Sequence, residues 1–256
     1  MRRQIVSAFF AAVAAGGAAL LTGGLTGPAA ADAATAGTHA AAYPVIDTSS
    51  QAGYTASGRW IRFVGTTVKV PVPAAAGYSD YAEVVLSGTH VPPVTLGLKP
   101  GGGAGSIGWA VGVAPFGMGG GTFSLAPAVG DSVRIDLYYN RSGGGVAATA
   151  TDITTNKTQV VNIGEGKNAV FNDAEVACVL KNPASSPTAD SRLWQFTDTA
   201  VTTYNGVRGT MTGPWTTSEV VDTTNGGASG QMVMSPSFLF NNNANFGVWI
   251  RAFLLK

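Results

Sequence analysis

The chain is poor in the residues that most often carry chemistry or cross-links. Among its 256 residues there is one cysteine, two histidines, and a charged fraction of only 11%. A lone thiol cannot close an intramolecular disulfide, so the fold must rest on packing. That thiol, Cys178, falls in an apolar alternation and reads as a small core residue rather than a reactive group. His39 and His90 have no Cys, Asp or Glu neighbours at metal-ligand spacing, although a loop calcium site built from Asp and carbonyl oxygens stays open. His90 serves a Ser-His-Asp triad only if distant residues converge on it. With a formal net charge of +1 and no basic patch, the electrostatic footprint of nucleic-acid binding is missing. No stretch keeps the period of an amphipathic helix. The glycine-rich segments Gly101–Gly105, Gly117–Gly121 and Gly143–Gly145 do not join a strand to a helix, so they read as loops and not as phosphate cradles. No cofactor is implied.

The N-terminus is the one long apolar region. Arg2 and Arg3 precede an apolar run from Ile5 to Leu21, rich in Ala and broken by Gly16 and Gly17. Small residues follow at Ala29-Ala30-Ala31-Asp32-Ala33. This order of charge, apolar core and small-residue cleavage site predicts a secretory signal peptide over 1–33 rather than a membrane anchor. The expectation is a secreted, extracellular protein of bacterial type, with no membrane partner after cleavage. Residues 34–50 read as a flexible lead-in, and 51–256 as a single domain long enough to bury a sizeable core.

From Gln51 onward, short β-type runs alternate with Gly, Pro and Asn. Strands are predicted at Trp60–Phe63, Thr67–Val72, Tyr81–Leu86, Val94–Leu98, Gly108–Val113, Val133–Tyr139, Val146–Asp152, Thr158–Ile163, Ala174–Leu180, Leu193–Phe196, Gly209–Met211 and Phe246–Leu255. This pattern implies an all-β sandwich or barrel. The clearest hairpin runs from Val133 to Asp152. Val133, Ile135, Leu137 and Tyr139 share one face, and the turn Asn140–Gly145 supplies the glycines that positive φ requires. No strand is read in the Thr-, Gly- and Asn-rich tract 212–244.

With 14 carboxylates in the chain, the placement of each is informative. In Asp173–Leu180, residues Ala174, Val176, Cys178 and Leu180 share an apolar face and Glu175 points the other way. In Tyr81–Leu86, residues Ala82, Val84 and Leu86 share a face and Glu83 points away from it. Alternation of this kind places both glutamates on the non-core side of a strand, where they either line a common groove or solvate an outer surface.

Several segments, in order, resemble those of the eqolisins, the glutamic peptidases. They are AGYTASG at Ala52–Gly58, VKVPVP at Val68–Pro73, VGDSVRIDLYYN at Val129–Asn140, ATDITT at Ala150–Thr155, FNDAEV at Phe171–Val176, and LWQF with YNG between Leu193 and Gly206. The resemblance covers about Gln51 to Met211. It implies two antiparallel sheets packed as a bent, concanavalin-like β-sandwich with a substrate groove. It also implies a Glu acting as general base on a water, with a Gln amide steadying the oxyanion.

Carried over by position, Glu175 matches the family's catalytic Glu. Thr95 falls where the family has Gln, or Leu96 if the register slips by one. Glu83 replaces a Trp, Ser87 an Asp, Val176 a Trp, and Ser50-Gln51 an Asn-Trp pair. Glu175, Glu83 and Thr95 are thus the candidate catalytic residues. Trp109, Ser87 and Tyr54 are the candidate substrate-binding residues. Losing one oxyanion donor costs roughly a hundred- to a thousandfold in rate. The expected function is therefore a peptidase-like groove with weak or absent peptidase activity that binds an extracellular peptide or polysaccharide. The alternative is an active acid hydrolase, cleaving peptide or glycosidic bonds, that uses Glu175 with Glu83.

Overall fold

The computed structural model describes residues 43–48, 51–73, 79–101, 103–112, 120–164, 169–181, 192–222 and 234–250. The leader expected over 1–33, most of the lead-in with His39, and the ends of the strands expected to reach Val113 and Leu255 lie outside them. The described chain is built of strands: β1 (Val45–Thr48), β2 (Gln51–Ser57), β3 (Ile61–Lys69), β4 (Ser79–Gly88), β5 (Val91–Lys99), β6 (Ser106–Val111), β7 (Gly120–Thr122), β8 (Ser132–Asn140), β9 (Gly145–Asp152), β10 (Lys157–Ile163), β11 (Asp173–Lys181), β12 (Arg192–Thr203), β13 (Arg208–Gly209), β14 (Thr216–Asp222), β15 (Met234–Pro236) and β16 (Phe246–Ile250).

Hydrogen-bonded neighbours run β10-β9-β8-β3-β12-β16-β15-β14-β2-β11-β4-β5-β6-β7, with β13 on β12. The pairs along this path are antiparallel, and β1 adds to β14 in parallel. The path doubles over, so that β3, β8 and β12 of one layer pack against β4, β5 and β11 of the other. This is the expected all-β, two-sheet antiparallel sandwich.

The core between the layers follows from alternation. Ala174, Val176 and Cys178 of β11 pair with Leu86, Val84 and Ala82 of β4, and all six are 1% exposed or less. Phe196 and Phe246 stack with ring centroids 4.6 Å apart. Trp194 is buried and donates its indole N–H to Asp80 Oδ2 at 2.7 Å, so its one polar atom is satisfied, as burial requires. The expected Val133–Asp152 hairpin forms, with Val133 opposite Asp152 and Asn140 opposite Gly145. Gly144 there has φ of 71°. The Asn140 carboxamide oxygen accepts from Ser142 Oγ and the Gly143 N–H, which closes the turn.

Several strand expectations change: Met234–Pro236 forms β15 inside the tract read without a strand, Gly120–Thr122 forms β7, and the strand expected at Gly209–Met211 is the two-residue β13 at Arg208–Gly209. The runs expected at Trp60–Phe63 and Thr67–Val72 join into one strand, β3 (Ile61–Lys69), which excludes Trp60 and residues 70–72. The apparent break at Gly65 is a position where a β-carbon would collide with the Asp136 carboxylate; glycine lets the Arg134–Asp136 ion pair (2.7 Å) lie flat on the sheet. Gln51–Ser57 and Thr216–Asp222, not read as strands, form the adjacent strands β2 and β14. Glycine, threonine and serine weaken their apolar pattern, and pairing on both sides of β2 supplies what propensity does not. Within the lead-in, Val45–Thr48 is ordered as β1 because β14 offers it a strand edge.

Candidate active site

Strands β2, β11, β4 and β5 are consecutive neighbours, so residues in register share a face. One face is the core just described. The opposite face carries Gln51 and Thr55 from β2, Glu175, Ala177 and Val179 from β11, Tyr81, Glu83, Val85 and Ser87 from β4, and Thr95 and Gly97 from β5. The two glutamates therefore lie on one face of adjacent strands. Glu83 is opposite Ala177, and Glu175 is opposite Val85. That diagonal corresponds to about 7–8 Å between the strand positions, close enough for two carboxyl groups to sense each other. Small residues surround them: Ala177 lies opposite Glu83 on one side and Gly97 on the other.

Although this face points away from the core, it is not a wet surface. Glu83 is 3% exposed and Thr95 4%. Glu175 keeps partial contact with solvent, yet its Oε1 is buried and makes no hydrogen bond. Directly across β2–β11 stands Thr55, whose hydroxyl oxygen is likewise buried without a partner. Glu83 Oε1 accepts a hydrogen bond from the Gln51 side-chain amide at 3.1 Å.

Burial pushes both carboxyls up. Glu83 rises from 4.5 to about 8, first through desolvation and then through the charge of Glu175, while the Gln51 hydrogen bond pulls it down. Glu175 rises to about 7 through desolvation. Because the groups interact, the two protons belong to the pair. Between these values one carboxyl is ionised and the other keeps its proton, the state from which acid and base roles can be divided. The buried Tyr81 phenol on the same face is also pushed up, by burial first and by Glu83 second.

Of the six candidate site residues, the fold brings together Glu175, Glu83, Thr95 and Ser87. Thr95 is across β4 from Glu175, both being opposite Val85. Ser87 is at the end of the same face, opposite Asp173.

Tyr54 and Trp109 do not join them. Tyr54 pairs with Val176, is 1% exposed, and packs edge-on against Phe246 at 5.1 Å; its hydroxyl donates to the Ser237 carbonyl at 2.7 Å. Trp109 pairs with Leu96 and packs against the core. Its indole lies over Gly121 of β7, where a β-carbon would sit 2.8 Å from the ring nitrogen. An odd or even position decides the face, and both aromatics fall on the core parity.

Gln51 and Thr55 are the site residues that sequence reasoning did not nominate. The signal was there: in Gln51–Ser57, Gln51, Gly53 and Thr55 alternate with Ala52, Tyr54 and Ala56, a polar and an apolar face at period two.

No protein-family profile and no curated protein sequence matches the chain. Solved structures do. Scytalido-glutamic peptidase bound to a transition-state analogue inhibitor superposes with a TM-score of 0.59 at 16% identity, covering 80% of this chain and 98% of that one. SCP-B, described as a member of the eqolisin family of peptidases and bound to the tripeptide Ala-Ile-His, gives 0.51 at 16% identity with the same coverage. Identity this low speaks for the backbone and not for the chemistry. The chain has the fold of the glutamic peptidases, the eqolisins.

Proposed function

We propose that this protein is a hydrolase of extracellular peptide or polysaccharide chains, working through the Glu83–Glu175 pair. The observation that carries this reading is the placement of two carboxyls on one face of paired strands, Glu83 buried and held by the Gln51 amide, Glu175 partly open and raising the Glu83 value by its charge. Burying carboxyls without a compensating cation costs stability, and such an arrangement is typical of sites that move protons.

Glu175, partly open to solvent and with the lower pKa, takes a proton from an attacking water. Glu83, with the higher pKa and the Gln51 contact, retains its proton and supplies the acid of the pair. In peptide hydrolysis the water oxygen bonds to the carbonyl carbon, the C–N bond breaks, and the leaving nitrogen gains a proton. Below about pH 7 both carboxyls are protonated and the base is lost; above about pH 8 both are ionised and the acid is lost. Activity is therefore bell-shaped with a maximum near neutrality, above the acid range suggested by the fold resemblance.

A binding-only reading has one specific support. Thr95 stands where a glutamine amide is expected, and its short side chain does not reach as far toward a developing oxyanion. The test is hydrolysis of an unfolded protein and of a panel of polysaccharides by the purified chain from pH 3 to 9, beside Glu175→Gln and Glu83→Gln. A neutral optimum lost in both variants supports the hydrolase. Folded proteins that cleave nothing at any pH leave the binding-only reading.

A further inference from the structure

A second site lies at the end of the sandwich, where the β2–β3, β8–β9 and β12–β13 turns meet the entry to β11. A shallow, open depression there, with an enclosed volume of only about 40 Å³, is walled by Trp60, Tyr139, Arg141, Phe171 and Tyr204, with Val170 at its rim. Binding sites for small ligands are mostly apolar and aromatic with a few placed polar groups, and the lining of this depression has that composition. Trp60 is 59% exposed and Tyr204 39%, large apolar surfaces for a protein to leave in water.

The walls are fixed, not loose. The Tyr204 N–H donates to the Trp60 carbonyl at 2.7 Å, and the Ile61 N–H to the Phe171 carbonyl at 2.8 Å. Tyr139 and Phe171 pack edge to face at 5.2 Å. These contacts hold three turns and the start of β11 in one arrangement, so little ordering cost remains on binding.

Charge narrows the ligand. The Arg141 guanidinium sits 5.7 Å from the centre of the Tyr204 ring. The ring holds the planar cation in place while its N–H groups stay available, and a guanidinium fork matches a carboxylate in two-point fashion. Among the described residues, no acidic side chain lines the depression. Among the described residues the salt bridge is Arg134–Asp136, so Arg141 is not neutralised that way. Arg62 stands over Tyr138 at 5.7 Å on strands that pair at the same end, which extends the basic and aromatic character beyond the depression.

We propose that this depression binds a uronic-acid unit of an acidic polysaccharide. The exposed Trp60 indole accepts the C–H face of a pyranose ring, and Arg141, held over the Tyr204 ring, receives its carboxylate. A carboxylate alone is also offered by a peptide C-terminus. Two exposed aromatic rings flanking one cation favour a ring-shaped ligand with a charge at its edge. The site is separate from the glutamate face: Phe171 is four residues before Glu175, about 13 Å along an extended chain, and its side chain belongs to the core. Binding therefore does not depend on hydrolysis.

The test is calorimetric titration of the full chain with a tetrameric galacturonate, a neutral galactose tetramer and a tetrapeptide with a free C-terminus. It is repeated with Trp60→Ala and Arg141→Gln. Trp60 and Arg141 are exposed, so folding survives their replacement, which circular dichroism confirms. The expected result is uronate binding that weakens more than tenfold in Trp60→Ala and in Arg141→Gln. The neutral tetramer should bind at least tenfold more weakly than the acidic one. Absence of uronate binding, uronate binding insensitive to both pocket variants, or a preference for the peptide would each overturn the proposal. Failure here leaves the glutamate pair untouched, and failure of the hydrolase reading leaves this site untouched.

Discussion

Strands β4 and β11 show two contrasting faces of the same backbone. On the inward face Leu86, Val84 and Ala82 meet Ala174, Val176 and Cys178, all buried and apolar. On the other, two positions along the same strands, Glu83 and Glu175 are held in low-dielectric surroundings with a buried Glu175 oxygen and a buried Thr55 hydroxyl lacking partners. The first face lowers the free energy of the fold. The second raises it, because an ionised carboxyl away from water is costly. A chain that keeps both on one pair of strands has separated stabilising from destabilising side chains by parity alone.

Substitutions on each face test that division. The largest effect on stability is expected on the core face: Leu86→Ala removes a fully buried side chain and should cost about 2–5 kcal/mol, read as a lower denaturant midpoint with an unchanged slope. A loss below about 1 kcal/mol would mean that this face is not the stabilising one.

The largest effect on activity is expected on the other face. Glu175→Gln should lower hydrolysis by about a hundredfold or more while leaving the protein more stable at neutral pH. Loss of stability instead would make Glu175 structural.

The pH dependence of folding follows in size. Both carboxyls have folded-state values raised above the ordinary 4.5, Glu83 to about 8 and Glu175 to about 7. The fold therefore prefers the protonated forms. Their contribution is fully present below about pH 4.5 and is lost as pH rises through 7 and 8, on the order of a few kcal/mol. Urea unfolding at pH 4, 6 and 9 should show a slope that flattens in the Glu83→Gln/Glu175→Gln double variant. A double variant with the wild-type slope would place the titration elsewhere.

The smallest effect concerns Gln51. Its hydrogen bond lowers the Glu83 value, so Gln51→Ala should raise that value, and Glu175→Gln should lower it by removing the neighbouring charge. Carboxyl NMR titration distinguishes the two directions. Movement of both in the same direction would show that the face is not arranged as described.

The legible part of this site was its parity. In Asp173–Leu180 and Tyr81–Leu86 the apolar residues occur at every second position, so Glu175 and Glu83 had to point away from whatever those residues packed on. The same rule, applied to Tyr54 and Trp109, places both on the core side. Their aromatic character suggests a groove, but Tyr54 lies between Ala52 and Ala56, and Trp109 pairs with Leu96. The strands β2 and β14 were hidden because Gly53, Thr55 and Ser218 dilute the pattern that marks a strand. Their existence depends on backbone pairing with neighbours rather than on their own composition.

The sequence by itself determined the strand-rich fold class, the Val133–Asp152 hairpin, the burial of Cys178 and the outward direction of both glutamates. All of these follow from local alternation and turn chemistry. Only the tertiary structure decided that β4 lies beside β11, that Gln51 reaches Glu83 across the strand between them, and that Trp60, Arg141 and Tyr204 gather at one end of the sandwich. These contacts join residues tens to more than a hundred positions apart, and no local periodicity records which strand becomes the neighbour of which. That choice belongs to the packing of the two layers as a whole, and the site exists only after it has been made.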